Sequence, residues 1–181
     1  MTVSGTDANA SNASNASNAS NANVLCSNPG LRNAWYAVAR TVDVAATPLA
    51  VTLLATKIVL YRSAPGDVVA APDRCPHREA PLSAGTVHDG CLVCPYHGWT
   101  FGQDGMCTVI PSSETSAITA RAHLKTFVAA ERYGLVWVCL GQPSGELPVV
   151  PPQRLGTLFW TKINSLTQWH SPHRLLADCG R

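Results

Sequence analysis

Residues 31–140 predict one antiparallel all-β domain. Short runs rich in Val, Leu, Ile and Thr recur along this stretch. Pro-Gly and Asp-Gly turn signals separate them, and no 11-residue window repeats with the period of a helix. In chain order, residues 33–39 (NAWYAVA) form the first candidate strand. Residues 49–54 and 57–62 are the next two, with the β-branched and aliphatic content that suits a pleated, half-buried surface. Pro65-Gly66-Asp67 is a turn, and a fourth strand starts over residues 68–71. Asp89-Gly90 lies between Thr86-Val87 and Leu92-Val93, and Asp104-Gly105 lies between residues 99–101 and 106–110, so each predicts a hairpin. The last two runs, 125–129 and 135–140, flank a turn at 131–134.

The flanks differ in composition. Residues 1–30 read as a low-complexity tail in which Ala-Ser-Asn repeats from Ala10. With no apolar periodicity, this tail is expected to be disordered. Asn9, Asn12, Asn15 and Asn18 match the glycosylation pattern Asn-x-Ser, a match the repeat produces by composition alone. The tail lacks the charged and apolar segments of a secretory signal, so a cytoplasmic protein is expected. Residues 141–153 (GQPSGELPVVPPQ) have linker composition, with four prolines and two glycines. Residues 154–181 begin a new unit, with a candidate strand at 158–163 and a helix start at 173–178. These 28 residues are too few to close a second core.

The whole chain has 181 residues, 46% hydrophobic and 13% charged, which is too apolar for a disordered protein. A net charge of +2 implies no strong attraction to nucleic acid. No apolar run reaches the length of a membrane-spanning helix. The seven cysteines are odd in number, which argues against a fully paired disulfide framework.

Two clusters of ligand-type residues stand out. One is Cys75-Pro76-His77; the other is Cys94-Pro95-Tyr96-His97-Gly98-Trp99. The 16 residues between His77 and Cys94 contain the Asp89-Gly90 hairpin, so the two loops can face each other. Each offers one thiolate and one imidazole. Zinc is usually held by Cys-x₂₋₄-Cys and His-x₃₋₅-His pairs. Here each loop mixes the two types, and one residue between Cys75 and His77 strains a bite at a single tetrahedral ion. That strain vanishes if Cys75 and His77 bind different metals. A Rieske-type [2Fe–2S] cluster has two Cys on one iron and two His on the other. Matching that pattern assigns Cys75 and Cys94 to one iron and His77 and His97 to the other. A zinc-stabilised module is the alternative. Gly98 is expected to let the backbone approach the sulfurs, and Trp99 to shield the site from water. Cys26, Cys91, Cys107, Cys139 and Cys179 are read as ordinary core or surface residues, and His88 and His123 as exposed or hydrogen-bonded.

At these residues the chain resembles the oxygenase component of the Rieske non-haem iron oxygenases. The match extends over Asp73-Arg74-Cys75-Pro76-His77-Arg78, Ala80-Pro81-Leu82-Ser83 and Gly85, and then residues 94–99. Residues 33–39 resemble the opening strand of the vanillate demethylase and phthalate dioxygenase branch, and residues 131–138 its closing hairpin. The resemblance covers residues 31–178. It implies an antiparallel β-sandwich with cluster-binding loops at one tip, followed by the incomplete start of an α+β catalytic domain. Respiratory relatives carry an extra cysteine in each loop, where this chain has Ala80 and Tyr96, so their disulfide cannot form here.

The resemblance further implies an oxidoreductase that takes electrons from a reductase or ferredoxin. In the family these electrons serve oxygen activation at a mononuclear Fe(II), for aromatic hydroxylation or O-demethylation, often within a homotrimer. The helix carrying the ligands of that iron resembles Leu175-Leu176-Ala177-Asp178, with Cys179 where Asn is common. The two histidines that should follow are not in these 181 residues, so the mononuclear iron is not expected in this chain. His170, His173 and Asp178 are poor substitutes, because Pro172 interrupts them. A self-standing ferredoxin is the alternative, against which the linker and the extra 28 residues count. No nucleic-acid or membrane partner is implied.

Overall fold

The computed structural model describes residues 26–112 and 118–149. The expectations for the repeat, for residues 154–181, and for His170, His173, Asp178 and Cys179 lie outside the described residues.

Among the described residues, ten strands form three antiparallel sheets. They are β1 (Tyr36–Arg40), β2 (Leu49–Leu53), β3 (Thr56–Arg62), β4 (Val68–Pro72), β5 (Thr86–His88), β6 (Cys91–Val93), β7 (Thr100–Phe101), β8 (Cys107–Val109), β9 (Val128–Arg132) and β10 (Leu135–Cys139). The sheet orders are β1-β10-β9, β2-β3-β4 and β5-β6-β7-β8. The all-β expectation holds. The helix α1 (Pro29–Arg32) is a single turn. It starts where Asn28 accepts a hydrogen bond from the Gly30 N–H at 2.8 Å and Pro29 presets the first helical φ. The first strand therefore begins at Tyr36, later than residue 33. Cys26, within the stretch read as tail, is buried in the core.

Three hairpins turn in two residues, each with both residues at positive φ. Asp89-Gly90 is one, at 49° and 73°, as the sequence pattern indicated. Tyr133-Gly134 is the second, at 60° and 71° between Arg132 and Leu135, so β9 runs further than residue 129. Leu54-Ala55 is the third, at 46° and 56°. No turn-forming residue marks it. Leu54 is buried in the core, and that burial offsets the left-handed backbone.

Strand β3 explains how the sheets stack. Alternate residues point to opposite faces of a strand. Ile58 and Leu60 enter a core shared with Val136, Val138 and Leu140 of the β1-β10-β9 side. Val59 and Tyr61 enter a second core with Leu82, Leu92, Cys94 and Phe101 of the β5–β8 side. All four residues are 0% exposed, so the middle sheet is buried on both faces. Its apolar run without polar alternation reflects this. The Tyr61 hydroxyl, inside the second core, donates to the Gly102 carbonyl at 2.7 Å.

Arg62 ties the sheets at the rim. It donates to Glu131 through both terminal nitrogens, at 2.7 and 2.9 Å, and to the carbonyls of Thr41, Val44 and Gly66. These five bonds match the five N–H donors of a guanidinium. Residues 141–149 are held against the domain. The Gly141 and Ser144 amides donate to the Arg32 and Asn33 carbonyls, the Gln142 amide to Asn33 Oδ1, and the Trp35 indole to Gly145. Asn33 side-chain and backbone oxygens thus bind a stretch whose composition reads as linker.

Candidate metal centre

The two Cys/His loops share one turn. In the loop between β4 and β5, the Cys75 amide donates to the Ala80 carbonyl at 2.9 Å and the Glu79 amide to the Cys75 carbonyl at 2.8 Å. In the loop between β6 and β7, the Cys94 amide donates to the Trp99 carbonyl at 2.8 Å and the Gly98 amide to the Cys94 carbonyl at 3.1 Å. The offsets are identical, from the cysteine to five residues on and from four residues on back to the cysteine. The fourth residue after each cysteine lies in the left-handed region, Glu79 at φ 59° and Gly98 at φ 68°. Gly98 thus serves the turn, where glycine avoids a steric cost. A Cβ there would also lie 3.1 Å from Pro111 Cγ. Glu79 has no such sequence signal. Its carboxylate pairs with Arg74.

The shared turn places the side chains in two pairs. Cys75 and Cys94 are 1% and 3% exposed and belong to the second core. His77 and His97 are exposed, their ring centroids 4.6 Å apart. Burial pushes the Cys75 thiol up to about 11, the His77 and Arg78 amides that face its sulfur pull the other way, and its hydrogen bond with Cys94 raises it further. Desolvation, then the nearby charges of His97 and Arg78, lower the His77 pKa below its usual value. A neutral imidazole and a thiolate are what a metal takes up, and a cation between the thiols would favour their deprotonation. Among the described residues, no three His, Cys, Asp or Glu side chains converge on one ion. The two thiols lie against each other and the two imidazoles do likewise.

Further residues shape the loops. Asp73 accepts from the Ser83 amide and hydroxyl, both at 2.7 Å, and anchors the first loop to a 3₁₀ turn at Leu82–Ala84. The indole of Trp99 stacks on His77, with centroids 4.7 Å apart and planes within 3°. Tyr96 leans on His97 at 3.9 Å and is 61% exposed. Neither the Asp73–Ser83 anchor nor the Trp99 stack is legible in the sequence. The Asp73–Ser83 bonds span ten positions and the Trp99–His77 stack joins separate loops, so neither leaves a local pattern to read. His123 is half-buried, and its Nδ1 accepts from the Cys107 amide at 2.8 Å; His88 is exposed. Both accord with the structural roles expected of them. Cys107 and Cys139 are buried free thiols, and Cys91 is half-buried.

Comparison with known proteins follows the same residues. The profile of the Rieske [2Fe-2S] domain matches residues 34–128, which is more than half of the chain. The chain belongs to the Rieske [2Fe–2S] domain family. It is 40% identical over 129 residues to the vanillate O-demethylase oxygenase subunit of a Pseudomonas strain, covering 71% of this chain and 34% of that protein. It is 41% identical over 114 residues to the oxygenase component of dicamba O-demethylase from Stenotrophomonas maltophilia, covering 63% and 33%. The crystal structure of apo dicamba monooxygenase superposes with a TM-score of 0.60 at 37% identity, covering 71% of this chain and 38% of that one. The chain thus spans about a third of the length of these relatives. The two-by-two pairing of buried thiols and exposed imidazoles fits the [2Fe–2S] group of a Rieske domain.

Proposed function

We propose that Cys75 and Cys94 hold one iron and His77 and His97 the other, and that the chain is the electron-accepting part of a Rieske oxygenase. The single observation that carries this is the pair of matching turns, which bury one thiol each and expose one imidazole each. When bound, such a cluster supplies one-electron transfer. The protein's part is to keep the sulfurs dry in the second core and to leave the imidazole side open, where an electron donor can approach. A reductase or ferredoxin is the proposed donor. The similarity to two O-demethylase components favours an aromatic O-demethylation or hydroxylation reaction for the whole protein. A mononuclear iron, a trimeric assembly and a cytoplasmic setting are part of the same proposal. Among the described residues no helix is long and apolar enough to cross a membrane.

The domain division proposed is a tail, the β domain, a linker and the start of a catalytic unit, with the strap over residues 141–149 docked on the β domain. Iron and acid-labile sulfide analysis of the purified chain tests the site. About two of each per chain, with histidine nitrogen couplings in the reduced-state EPR spectrum, is the expected result. A colourless protein with one zinc would overturn it.

A further inference from the structure

We propose that Trp99 is the positioning residue for the His77 imidazole, fixing its ring plane by stacking. The inference rests on the reading that His77 and His97 hold an iron. A metal-bound histidine is usually oriented by a hydrogen bond from its second ring nitrogen to a carboxylate or carbonyl. Among the described residues, what meets the His77 ring is a ring face. His77 has that contact in the parallel indole at 4.7 Å and 3°. His97 has a weaker hold. Its ring meets His77 at 59° and the exposed Tyr96 at 34°.

The indole is itself fixed. The Trp99 carbonyl closes the second loop on the Cys94 amide, and the side chain packs against the core that contains Cys75 and Cys94. Among the described residues its buried N–H has no acceptor. A buried N–H without an acceptor costs free energy, so packing and not hydrogen bonding holds the ring there. What the indole contributes in return is a flat face against His77. A residue of the second loop thereby orients the histidine of the first, coupling the two halves of the site.

The test uses the iron-loaded chain and two variants. Trp99→Leu removes the flat face, whereas Trp99→Phe keeps a flat ring and removes the N–H. Pulsed EPR of the reduced protein reads the nitrogen couplings of the two histidines, and loss of visible colour in a chelator reads retention. In Trp99→Leu one of the two couplings should change and spread, and colour loss should quicken by about tenfold. Trp99→Phe should restore both readouts. Unchanged couplings in Trp99→Leu would overturn the proposal, as would a Phe variant as defective as the Leu variant. Should the Leu variant fail to fold, an altered histidine coupling in Trp99→Phe alone would overturn it. A parent chain without any histidine nitrogen coupling would instead overturn the ligand reading beneath it.

Discussion

The loop carrying Cys75 and the loop carrying Cys94 close with the same two hydrogen bonds, yet they are stabilised by different means. The second loop relies on its own sequence, with glycine at the left-handed position. The first places Glu79 there and relies on contacts beyond the turn itself. Asp73 grips Ser83 below it, and Trp99 reaches over from the second loop to stack on its histidine. The same turn therefore arises once from local propensity and once from tertiary contact. The second loop should form more readily by itself, and the first should depend on the rest of the domain.

The largest expected effect removes the comparison altogether. Cys75→Ser and Cys94→Ser should each abolish the visible chromophore of the loaded chain, to the same degree, because each loop supplies half of each proposed ligand pair. Retention of colour in one variant alone would make the loops unequal in metal binding as well as in folding, and absorbance after purification decides it.

The next effect falls on the first loop only. Asp73→Ala removes a charged acceptor from two bonds of 2.7 Å and leaves the Ser83 amide unpaired. A loss of about 2–3 kcal/mol is expected from charge-assisted bonds of this kind, read as a shift of the urea midpoint. Among the described residues no carboxylate makes such bonds within the second loop.

Exchanging the left-handed residues sharpens the contrast. Gly98→Ala should cost about 1–2 kcal/mol, the usual penalty for a Cβ in that conformation, with the Pro111 contact adding to it. Glu79→Gly should change stability the other way, by about 0.5 kcal/mol. Relief of the left-handed backbone there exceeds the extra chain entropy of glycine and the small worth of an exposed ion pair with Arg74. Urea unfolding of both variants measures the two signs. Equal signs would mean that the shared hydrogen bonds, and not the residue at the turn, set the cost.

The smallest effect is a control away from both loops. The hydrogen bond from Arg62, opposed by some desolvation, holds the Glu131 carboxyl below its ordinary value of 4.5. A lowered carboxylate contributes stability above its unfolded pKa, and that contribution is lost as pH falls through the lowered folded value. Glu131→Gln should therefore cost about 1 kcal/mol or less at neutral pH, discounted for its partial exposure. The variant and parent curves should converge as pH drops below 4.5. Thermal melts from pH 7 downward check this, and a gap that persists in acid would mean that packing, not charge, matters at this position.

These contrasts mark how far the chain could be read unaided. The strands, the Asp89-Gly90 hairpin and the four proposed ligands were legible because each rests on neighbours in sequence. Alternation, turn propensity and ligand spacing act over a few residues. The Leu54-Ala55 turn was not legible, since only burial in a core built from β3 and β10 favours a left-handed Leu. The docking of residues 141–149 was not legible either, because proline and glycine content says nothing of Asn33, more than a hundred positions away, which holds this stretch.

By itself, then, the sequence determined which residues make strands, where two of the tight hairpins fall, and which two cysteines and two histidines form the candidate centre. Tertiary structure alone decided that β3 is buried on both faces and that Glu79 adopts the conformation of Gly98. It also decided that Trp99 lies parallel to His77 and that the thiols are dry while the imidazoles are open. The division follows from range. Propensity and spacing are properties of a short stretch of chain, whereas burial and stacking exist only once distant segments have displaced the water between them.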